Sequence, residues 1–181
     1  MERVKLLALS GSLRKASYNT ATIKALKSLA PSNIEIMLGR IGELPLFNPD
    51  CEGEDIPALM KLKSDLNESS GVIISSPEYA HGISAPMKNA LDWLVSGEDF
   101  PYIPIMLINT SPRASHALEA LKEVLRTMSG NIIESAYVSI PLLGSGLDSE
   151  GIVANHEMAT ALQSGLSVFY NEIRKLNKSV N

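Results

Sequence analysis

Short apolar runs alternate along this chain of 181 residues with amphipathic helical patterns, and this alternation limits the possible folds more than any other feature. The apolar runs predict β-strands over residues 4–9, 34–38, 71–75, 103–108 and 132–140. The patterns between them predict helices over residues 20–29, from 56 onward, 86–94, 114–128 and about 153–176. The run at 71–75 has three consecutive branched apolar residues, Val72, Ile73 and Ile74, which is typical of a parallel strand buried on both faces. We therefore expect residues 1–181 to form a single α/β domain, a doubly wound parallel sheet of five strands with helices on both faces.

The composition is that of an ordinary globular protein and argues against several classes of function. Hydrophobic residues make up 45% of the chain, charged residues make up 20%, and the formal net charge is −4. Because there is no long run of Lys and Arg, the sequence lacks the basic footprint of a nucleic-acid-binding protein. No apolar stretch approaches the roughly 20 residues that a membrane-spanning helix needs. The chain runs from Met1 directly into the first predicted strand, so we expect no signal peptide and a cytoplasmic protein.

The single cysteine, Cys51, predicts a reducing compartment and excludes an intrachain disulfide. Carboxylates stand at positions 50, 52, 54 and 55. Because nearby negative charge raises the pKa of a thiol and opposes the thiolate, we interpret Cys51 as a loop residue rather than a nucleophile. The histidines, at positions 81, 116 and 156, lack the spacing of metal ligands, and no metal is expected. His116 and His156 fall on predicted helices and are interpreted as surface residues.

Three polar loops follow the first, third and fourth predicted strands, at residues 10–19, 75–84 and 109–115. In a doubly wound sheet, ligands bind beyond the carboxyl ends of the strands, near the point where the strand order reverses. The connectivity therefore brings these loops to one edge of the sheet. We expect them to form a single binding site.

The first of these loops has the character of a phosphate site. Backbone N–H groups at the start of the following helix have no partners within that helix, and the helix dipole adds positive potential there. Ser12, Ser17 and Asn19 can donate hydrogen bonds, and Arg14 supplies a full positive charge. The loop contains only one glycine and no Gly-Lys-Ser/Thr ending, which argues against a dinucleotide fingerprint and a P-loop. A phosphate monoester is the predicted ligand.

Two motifs in this chain resemble those of the NADPH-dependent FMN reductases, a family of the flavodoxin-like superfamily. The first is Gly-Ser-Leu-Arg-x-x-Ser-x-Asn, which residues 11–19 match. The second is Pro-Glu-Tyr at residues 77–79, followed by Lys-Asn-Ala-x-Asp-Trp at residues 88–93. The segment at 44–50 is also similar, so the resemblance spans at least residues 4–110. It implies a flavodoxin-like sheet with strand order 2-1-3-4-5.

The resemblance further implies FMN as the bound cofactor. The phosphate contacts would come from the first loop, namely from Ser12, Arg14, Ser17 and Asn19. The isoalloxazine ring would lie along the loop after the third strand, at Pro77, Glu78, Tyr79, His81 and Gly82, with Ser111 as a neighbour from the next loop. Gly82 suits this place because it lacks a Cβ and lets the chain come close to a ring. Tyr79 has an alternative role as an interface aromatic, and Glu78 an alternative role in stabilising its loop or a subunit contact.

The implied reaction passes a hydride from NADPH, or from NADH, through FMN to a quinone, an azo compound, a flavin or a similar acceptor. The flavin carries this chemistry, so no catalytic side chain is required. A homodimer or homotetramer is expected. Arg113 is open to two interpretations, a contact to the phosphates of the pyridine nucleotide or a plain surface residue. The alternative function is that of a flavodoxin-type electron carrier or flavin-dependent redox sensor without its own NADPH turnover.

Overall fold

The predicted alternation of strands and helices is present in the computed structural model, which describes residues 3–113 and 115–180. The first half contains β1 (Val4–Ser10), α1 (Tyr18–Leu29), β2 (Ile34–Leu38), α2 (Pro57–Asn67) and β3 (Val72–Ser75). It continues with the short strands β4 (Glu78–Tyr79) and β5 (Gly82–Ile83), then α3 (Ala85–Leu94) and β6 (Pro104–Asn109). The last part contains α4 (His116–Thr127), β7 (Asn131–Ile132), β8 (Val138–Ser139), α5 (Ser149–Ala154) and α6 (His156–Val180).

The main sheet has the predicted strand order. Its strands lie in the order β2-β1-β3-β6-β7, all pairs are parallel, and β8 also pairs with β6. The order reverses between β1 and β3, whose carboxyl ends are joined in register at Ser10 and Ser75. This arrangement confirms the flavodoxin-like topology and puts the switch point where the polar loops begin.

Each face of the sheet is covered by its own hydrophobic core. Leu6 and Ala8 face one core, which includes Phe169 of α6. The alternate residues of the same strand, Leu7 and Leu9, face the other core, which contains Trp93 of α3. Because successive side chains of a strand point to opposite faces, a strand covered on both sides is apolar at nearly every position of its central part. The continuous apolar runs of the sequence follow from this double burial.

The fifth predicted strand, at 132–140, is wrong as a single element. It forms two short pieces, β7 and β8, with a 3₁₀ turn over Glu134–Ala136 between them. Glu134 lies on this turn and pairs with Lys122 of α4 at 3.1 Å, so the chain leaves the sheet where this charged residue meets its partner. Ile133 still donates its N–H to the carbonyl of Ile105 at 2.9 Å, and the direction of the chain is kept.

The last predicted helix is also wrong as a single element, because the chain contains two helix starts. Asp148 accepts a hydrogen bond from the N–H of Gly151 at 2.9 Å and begins α5. Asn155 accepts one from the N–H of Met158 at 3.0 Å, where α6 begins. Asp and Asn are strong N-capping residues, and each competes with a continuous helix through its own position.

Other boundaries lie within two residues of their predicted places. The helix α1 begins at Tyr18, two residues before its predicted start, because Ser17 is its N-cap. The predicted start of α4 at Ala114 lies outside the described residues. None of the helices in the described part of the chain is both long and apolar enough to cross a membrane.

Candidate functional site

The ends of β1, β3 and β6 open into one cleft at the carboxyl edge of the sheet. Its volume is about 210 Å³. All three predicted loops contribute to its lining, as the connectivity indicates. The lining residues are Ser12, Arg14, Ala16, Ser17, Tyr18, Asn19, Ser76, Pro77, Glu78, Tyr79, Asn109, Thr110, Ser111 and Leu143.

The first loop presents hydrogen-bond donors at the start of α1. Ser17 is buried and caps the helix, because its hydroxyl accepts a hydrogen bond from the N–H of Thr20 at 3.2 Å. In the part of the chain that the structure describes, no hydrogen bond engages the N–H groups of Ala16, Tyr18 or Asn19. These N–H groups lie at the positive end of the helix dipole, where an anion is stabilised. We name residues Ser10–Asn19 the cradle.

Asn19 connects the cradle to the two neighbouring loops. Its side-chain oxygen accepts hydrogen bonds from the hydroxyl of Ser75 at 2.9 Å and from the hydroxyl of Thr110 at 3.2 Å. Asn19 is buried, and its two partners come from the ends of β3 and β6. Its oxygen is thus used within the protein, and only its amide N–H groups can donate to a ligand.

Gly11 allows the cradle to lie directly against the loop after β3. A Cβ at this position would lie 2.2 Å from the hydroxyl oxygen of Ser76 and 2.8 Å from that of Ser84. The N–H of Gly11 also donates to the carbonyl of Ser75 at 2.8 Å. Only a residue without a side chain permits this approach.

Within the loop predicted at 75–84, residues 78–83 form a short antiparallel hairpin, β4–β5. Its two turn residues, Ala80 and His81, have φ angles of 48° and 58°. Two central residues with positive φ are typical of a type I′ turn, which matches the twist of paired strands. The sequence signal for this turn is usually Asn-Gly or Asp-Gly, so Ala-His gave no indication of a hairpin.

Glu78 fastens this hairpin to α4. Its carboxylate accepts a hydrogen bond from the N–H of Ala117 at 2.9 Å, in the first turn of that helix. A carboxylate at a helix N-terminus satisfies an unpaired donor and interacts favourably with the dipole. The sequence leaves Glu78 either a contact to the flavin ring or a role in stabilising its loop or a subunit contact. The hydrogen bond to Ala117 supports stabilisation of the loop. Tyr79 is 52% exposed at the rim of the cleft.

His81 and Gly82 do not line the cleft but lie in the turn beside it. The ring of His81 stacks on the ring of His116, with 4.4 Å between the centroids and an interplanar angle of 20°. His116 is exposed, as interpreted from the sequence, but the stacking was not predicted. A Cβ at Gly82 would meet nothing closer than 3.6 Å, so the space beside this residue is open.

Comparison with known proteins shows to which family this chain belongs. The sequence profile of the NADPH-dependent FMN reductases matches residues 4–143. The chain belongs to this family. An NAD(P)H-dependent FMN reductase of Pseudomonas aeruginosa is 25% identical over 179 residues, covering 96% of this chain and 97% of the relative. The quinone reductase of Escherichia coli is 33% identical over 115 residues, an alignment that covers 61% of each protein.

A solved structure agrees with this assignment. FerB, a flavoenzyme NAD(P)H:acceptor oxidoreductase from Paracoccus denitrificans, has a TM-score of 0.77 and 26% identity, covering 95% of this chain and 98% of that chain. Family membership confirms the expected class, an NAD(P)H-dependent oxidoreductase that uses FMN, and favours it over an electron carrier. The predicted residues of the reductase lie together in the cleft, except for His81 and Gly82.

Some lining residues of the reductase were not singled out from the sequence. Leu143 was missed, and Ala16, Tyr18, Ser76, Asn109 and Thr110 were noted only as members of the polar loops. Asn109 accepts a hydrogen bond from the N–H of Ser111 at 2.9 Å and holds that loop in shape. The polar residues Ser76, Asn109 and Thr110 could have been found from their position, because they lie at or directly after the carboxyl ends of β3 and β6.

The charges around the cleft agree with an anionic ligand. Arg14 is exposed and takes part in no ion pair within the described residues. Arg113 is exposed and lies outside the cleft lining.

Cys51, the remaining candidate for a reactive group, also lies outside the cleft lining. The pKa of the Cys51 thiol is raised, first by desolvation and then by the carboxylates of Glu54 and Asp50, in the direction expected from the sequence. Across residues 3–113 and 115–180, no three His, Cys, Asp or Glu residues converge as a metal site would require.

Proposed function

We propose that this reductase binds FMN across the cleft, with the phosphate in the cradle and the ring beside the β4–β5 hairpin. The observation that carries this proposal is the convergence of the two motifs. Ser12, Arg14, Ser17 and Asn19 line the same cleft as Pro77, Glu78, Tyr79 and Ser111, although more than 50 residues separate the two motifs in the chain. The donors at the start of α1 fit a phosphate monoester, which supports this orientation.

At the phosphate end, each group has a distinct task. Arg14 supplies the positive charge, and the N–H groups of Ala16, Tyr18 and Asn19 supply fixed dipoles. Ser12 and Ser17 add hydroxyl donors, and the amide of Asn19 donates while its oxygen stays bonded to Ser75. Because the cradle is already hydrogen-bonded to its neighbours, little ordering is needed when the phosphate binds.

At the ring end, the hairpin supplies a surface and open space. Pro77 and Tyr79 line the cleft, while His81 and Gly82 extend the same surface along the turn. Gly82 leaves room on the side where a Cβ would otherwise stand. The exposed ring of Tyr79 can contact the flavin or a second subunit.

When bound, FMN supplies the hydride chemistry. The protein groups bind the cofactor, orient its ring and leave one face open to the coenzyme and the acceptor in turn. Glu78 is engaged with the N–H of Ala117, which supports a structural role for it rather than one in proton transfer. No side-chain nucleophile is needed.

We further propose a small-molecule acceptor, namely a quinone, an azo compound, a flavin or a similar molecule, and a homodimer or homotetramer that acts in the cytoplasm. The quinone reductases among the relatives support the acceptor class. The exposed side chains of Tyr79 and Leu143 at the rim of the cleft support a subunit contact there. The assignment of residues 1–181 to one FMN-binding domain is supported by the single main sheet and its two cores.

The phosphate assignment is tested by the affinity of the apoprotein for FMN, followed by quenching of flavin fluorescence. Arg14→Ala should weaken binding by about tenfold or more, since it removes a charge-assisted contact. Arg40→Ala is the matched control, because Arg40 is also exposed, lies outside the cleft and, among the described residues, forms an ion pair only with Glu43, at 3.4 Å. An unchanged affinity in Arg14→Ala would show that the phosphate lies elsewhere.

The reductase activity is tested by anaerobic mixing of the FMN-loaded protein with NADPH. The oxidised flavin spectrum should bleach rapidly and return when a quinone is added. If the oxidised spectrum persists for minutes, the protein is an electron carrier or sensor and the proposed turnover is wrong. A parallel screen of quinones, azo dyes and free flavins then ranks the acceptors.

A further inference from the structure

A second cleft adjoins the cradle on its outer side. Its volume is about 350 Å³, within the range of about 300–1,000 Å³ typical of small-molecule sites. One wall is the first half of α1 with the residues before it, and the other is the segment that leads into α5. The lining residues are Arg14, Lys15, Ala16, Ser17, Tyr18, Thr20, Ala21, Lys24, Gly146, Leu147, Asp148 and Ser149.

This outer cleft is continuous with the proposed FMN site. Arg14, Ala16, Ser17 and Tyr18 line both clefts. Tyr18 also fixes the opposite wall, because its phenolic oxygen accepts a hydrogen bond from the N–H of Gly146 at 3.0 Å. A ligand in the outer cleft therefore lies next to a ligand in the inner one.

The outer cleft is positively charged in a chain whose formal net charge is −4. Arg14, Lys15 and Lys24 contribute three cations against the single carboxylate of Asp148. That carboxylate is already bonded to the N–H of Gly151 at the start of α5. Within the described residues, none of the three cations takes part in an ion pair.

The two lysines are surplus to the proposed FMN site. Lys15 and Lys24 line only the outer cleft, whereas Arg14 lies at the border and faces both. Like charges held close together repel one another, so the cluster is most stable with an anion between its members. In the proposed reaction, the molecule besides FMN that must bear phosphate groups is the nicotinamide coenzyme.

We propose that the outer cleft binds the adenosine end of the coenzyme and that Lys15 and Lys24 recognise its 2′-phosphate. This inference rests on the proposed function and deepens it, because the 2′-phosphate is the group by which NADPH differs from NADH. A phosphomonoester carries about −1.5 to −2 charges at neutral pH. Two flexible ammonium groups can surround it as point charges, with Arg14 left to the FMN phosphate.

The test measures binding of two probes to the FMN-loaded protein by calorimetry: adenosine 2′,5′-bisphosphate and adenosine 5′-monophosphate. The bisphosphate should bind about tenfold tighter or more, and this preference should weaken as the salt concentration rises. Lys15→Gln and Lys24→Gln should each reduce affinity for the bisphosphate by roughly fivefold and leave affinity for the monophosphate nearly unchanged. The same variants should raise the KM for NADPH more than the KM for NADH.

Lys27→Gln is the matched control, since Lys27 is exposed on the same helix and lies outside this cleft. Equal affinities for the two probes, or variants that bind the bisphosphate as the wild type does, would overturn the inference. A loss of FMN affinity in Lys24→Gln without loss of bisphosphate affinity would overturn it too, because the cleft would then hold the FMN phosphate.

Failure of the proposed function has a different signature, namely a wild-type protein that does not bind FMN. The probe measurements are therefore repeated with the apoprotein. A tenfold preference for the bisphosphate that depends on Lys15 and Lys24 would support the outer cleft by itself, and its absence in both forms of the protein would overturn it.

Discussion

The cradle and the β4–β5 hairpin form the two ends of one cleft, but they are held in place by different means. The cradle is anchored to both neighbouring strand ends by hydrogen bonds of buried Asn19, and Gly11 packs it against the loop after β3. The hairpin is exposed at its tip, with backbone φ angles of 48° and 58° at its two turn residues. It is attached by the carboxylate of Glu78 and the stacked ring of His81, both of which contact α4, and by Ile83, which packs against the core that includes Leu121 of α4.

The phosphate end of the cleft is therefore positioned by packing at the edge of the sheet, whereas the ring end depends on a neighbouring helix. Buried hydrogen bonds and close backbone contacts resist local opening, whereas exposed turns open at low cost. We expect changes in the cradle to affect folding and cofactor binding together. Changes in the hairpin should affect the ring environment with small effects on folding.

The largest effect is expected for Gly11→Ala. The new Cβ would lie 2.2 Å from the hydroxyl oxygen of Ser76 and 2.8 Å from its Cβ, so the cradle and the next loop must separate. We expect a loss of about 3 kcal/mol in the free energy of unfolding of the apoprotein and at least about a tenfold loss of FMN affinity. Urea unfolding and fluorescence titration measure the two quantities.

Two further glycines serve as controls for this variant. Gly97→Ala lies in the turn after α3, where the nearest atom would be 3.4 Å away, and should change stability by less than about 0.5 kcal/mol. Gly82→Ala, with its nearest contact at 3.6 Å, should also fold normally but bind FMN more weakly if the ring lies beside it. Equal stability of Gly11→Ala and Gly97→Ala would refute the role of packing in the cradle.

The next largest effect is expected for Asn19→Ala, which removes the acceptor shared by Ser75 and Thr110. Leaving buried hydroxyl groups without their partner should cost about 2 kcal/mol in the free energy of unfolding. Asn19→Asp keeps an acceptor oxygen, so it should be more stable than the alanine variant. It should nevertheless bind FMN less tightly than Asn19→Ala does, because its charge repels the phosphate. The reverse ranking of FMN affinities would contradict the assignment of the phosphate to the cradle.

Much of the cradle could be predicted from the sequence, because its features are local. Ser17 lies where an N-cap is needed, and Arg14 lies in the same loop as the helix start. The strand order could also be anticipated, since alternating apolar runs and helices leave few topologies. Contacts between distant segments, such as the hydrogen bonds of Asn19 with Ser75 and Thr110, could not be predicted from the sequence.

The hairpin and the last helices were mispredicted for a related reason. A type I′ turn at Ala80 and His81 has no Asn-Gly or Asp-Gly signal, so its backbone is held by the attachment of Glu78 to α4 rather than by local preference. The break at Asn155 had a local signal, a capping residue, but it competed with a long amphipathic pattern on both sides. Local propensity predicts elements well where packing agrees with it, and less well where a tertiary contact decides.

A smaller effect is expected for Glu78→Ala, which tests the attachment of the hairpin to α4. Loss of the cap on the N–H of Ala117 should lower the free energy of unfolding by about 1 kcal/mol and speed hydrogen exchange at that amide. Glu78→Gln keeps an acceptor and should recover part of the loss. Glu119→Ala is the control, because Glu119 lies in the same first turn of α4 and, within the part of the chain that the structure describes, forms an ion pair only with Lys122, at 3.8 Å. Unchanged exchange at Ala117 would show that the carboxylate does not hold the hairpin.

The smallest effect is expected for His116→Ala, which removes the ring on which His81 stacks. Aromatic pairs contribute about 0.5–1.5 kcal/mol, and because both rings are exposed we expect a loss near the lower end, about 0.5 kcal/mol. His116→Phe keeps the stack and should restore slow hydrogen exchange at Gly82, which pairs with Tyr79 across the hairpin, while His156→Ala at the start of α6 should leave this amide unaffected. If the phenylalanine variant behaves like the alanine variant, ring stacking is not what steadies the turn. The hairpin would then be held by the carboxylate of Glu78 and by Ile83, which packs against the core that includes Leu121 of α4, without a contribution from the stacked rings.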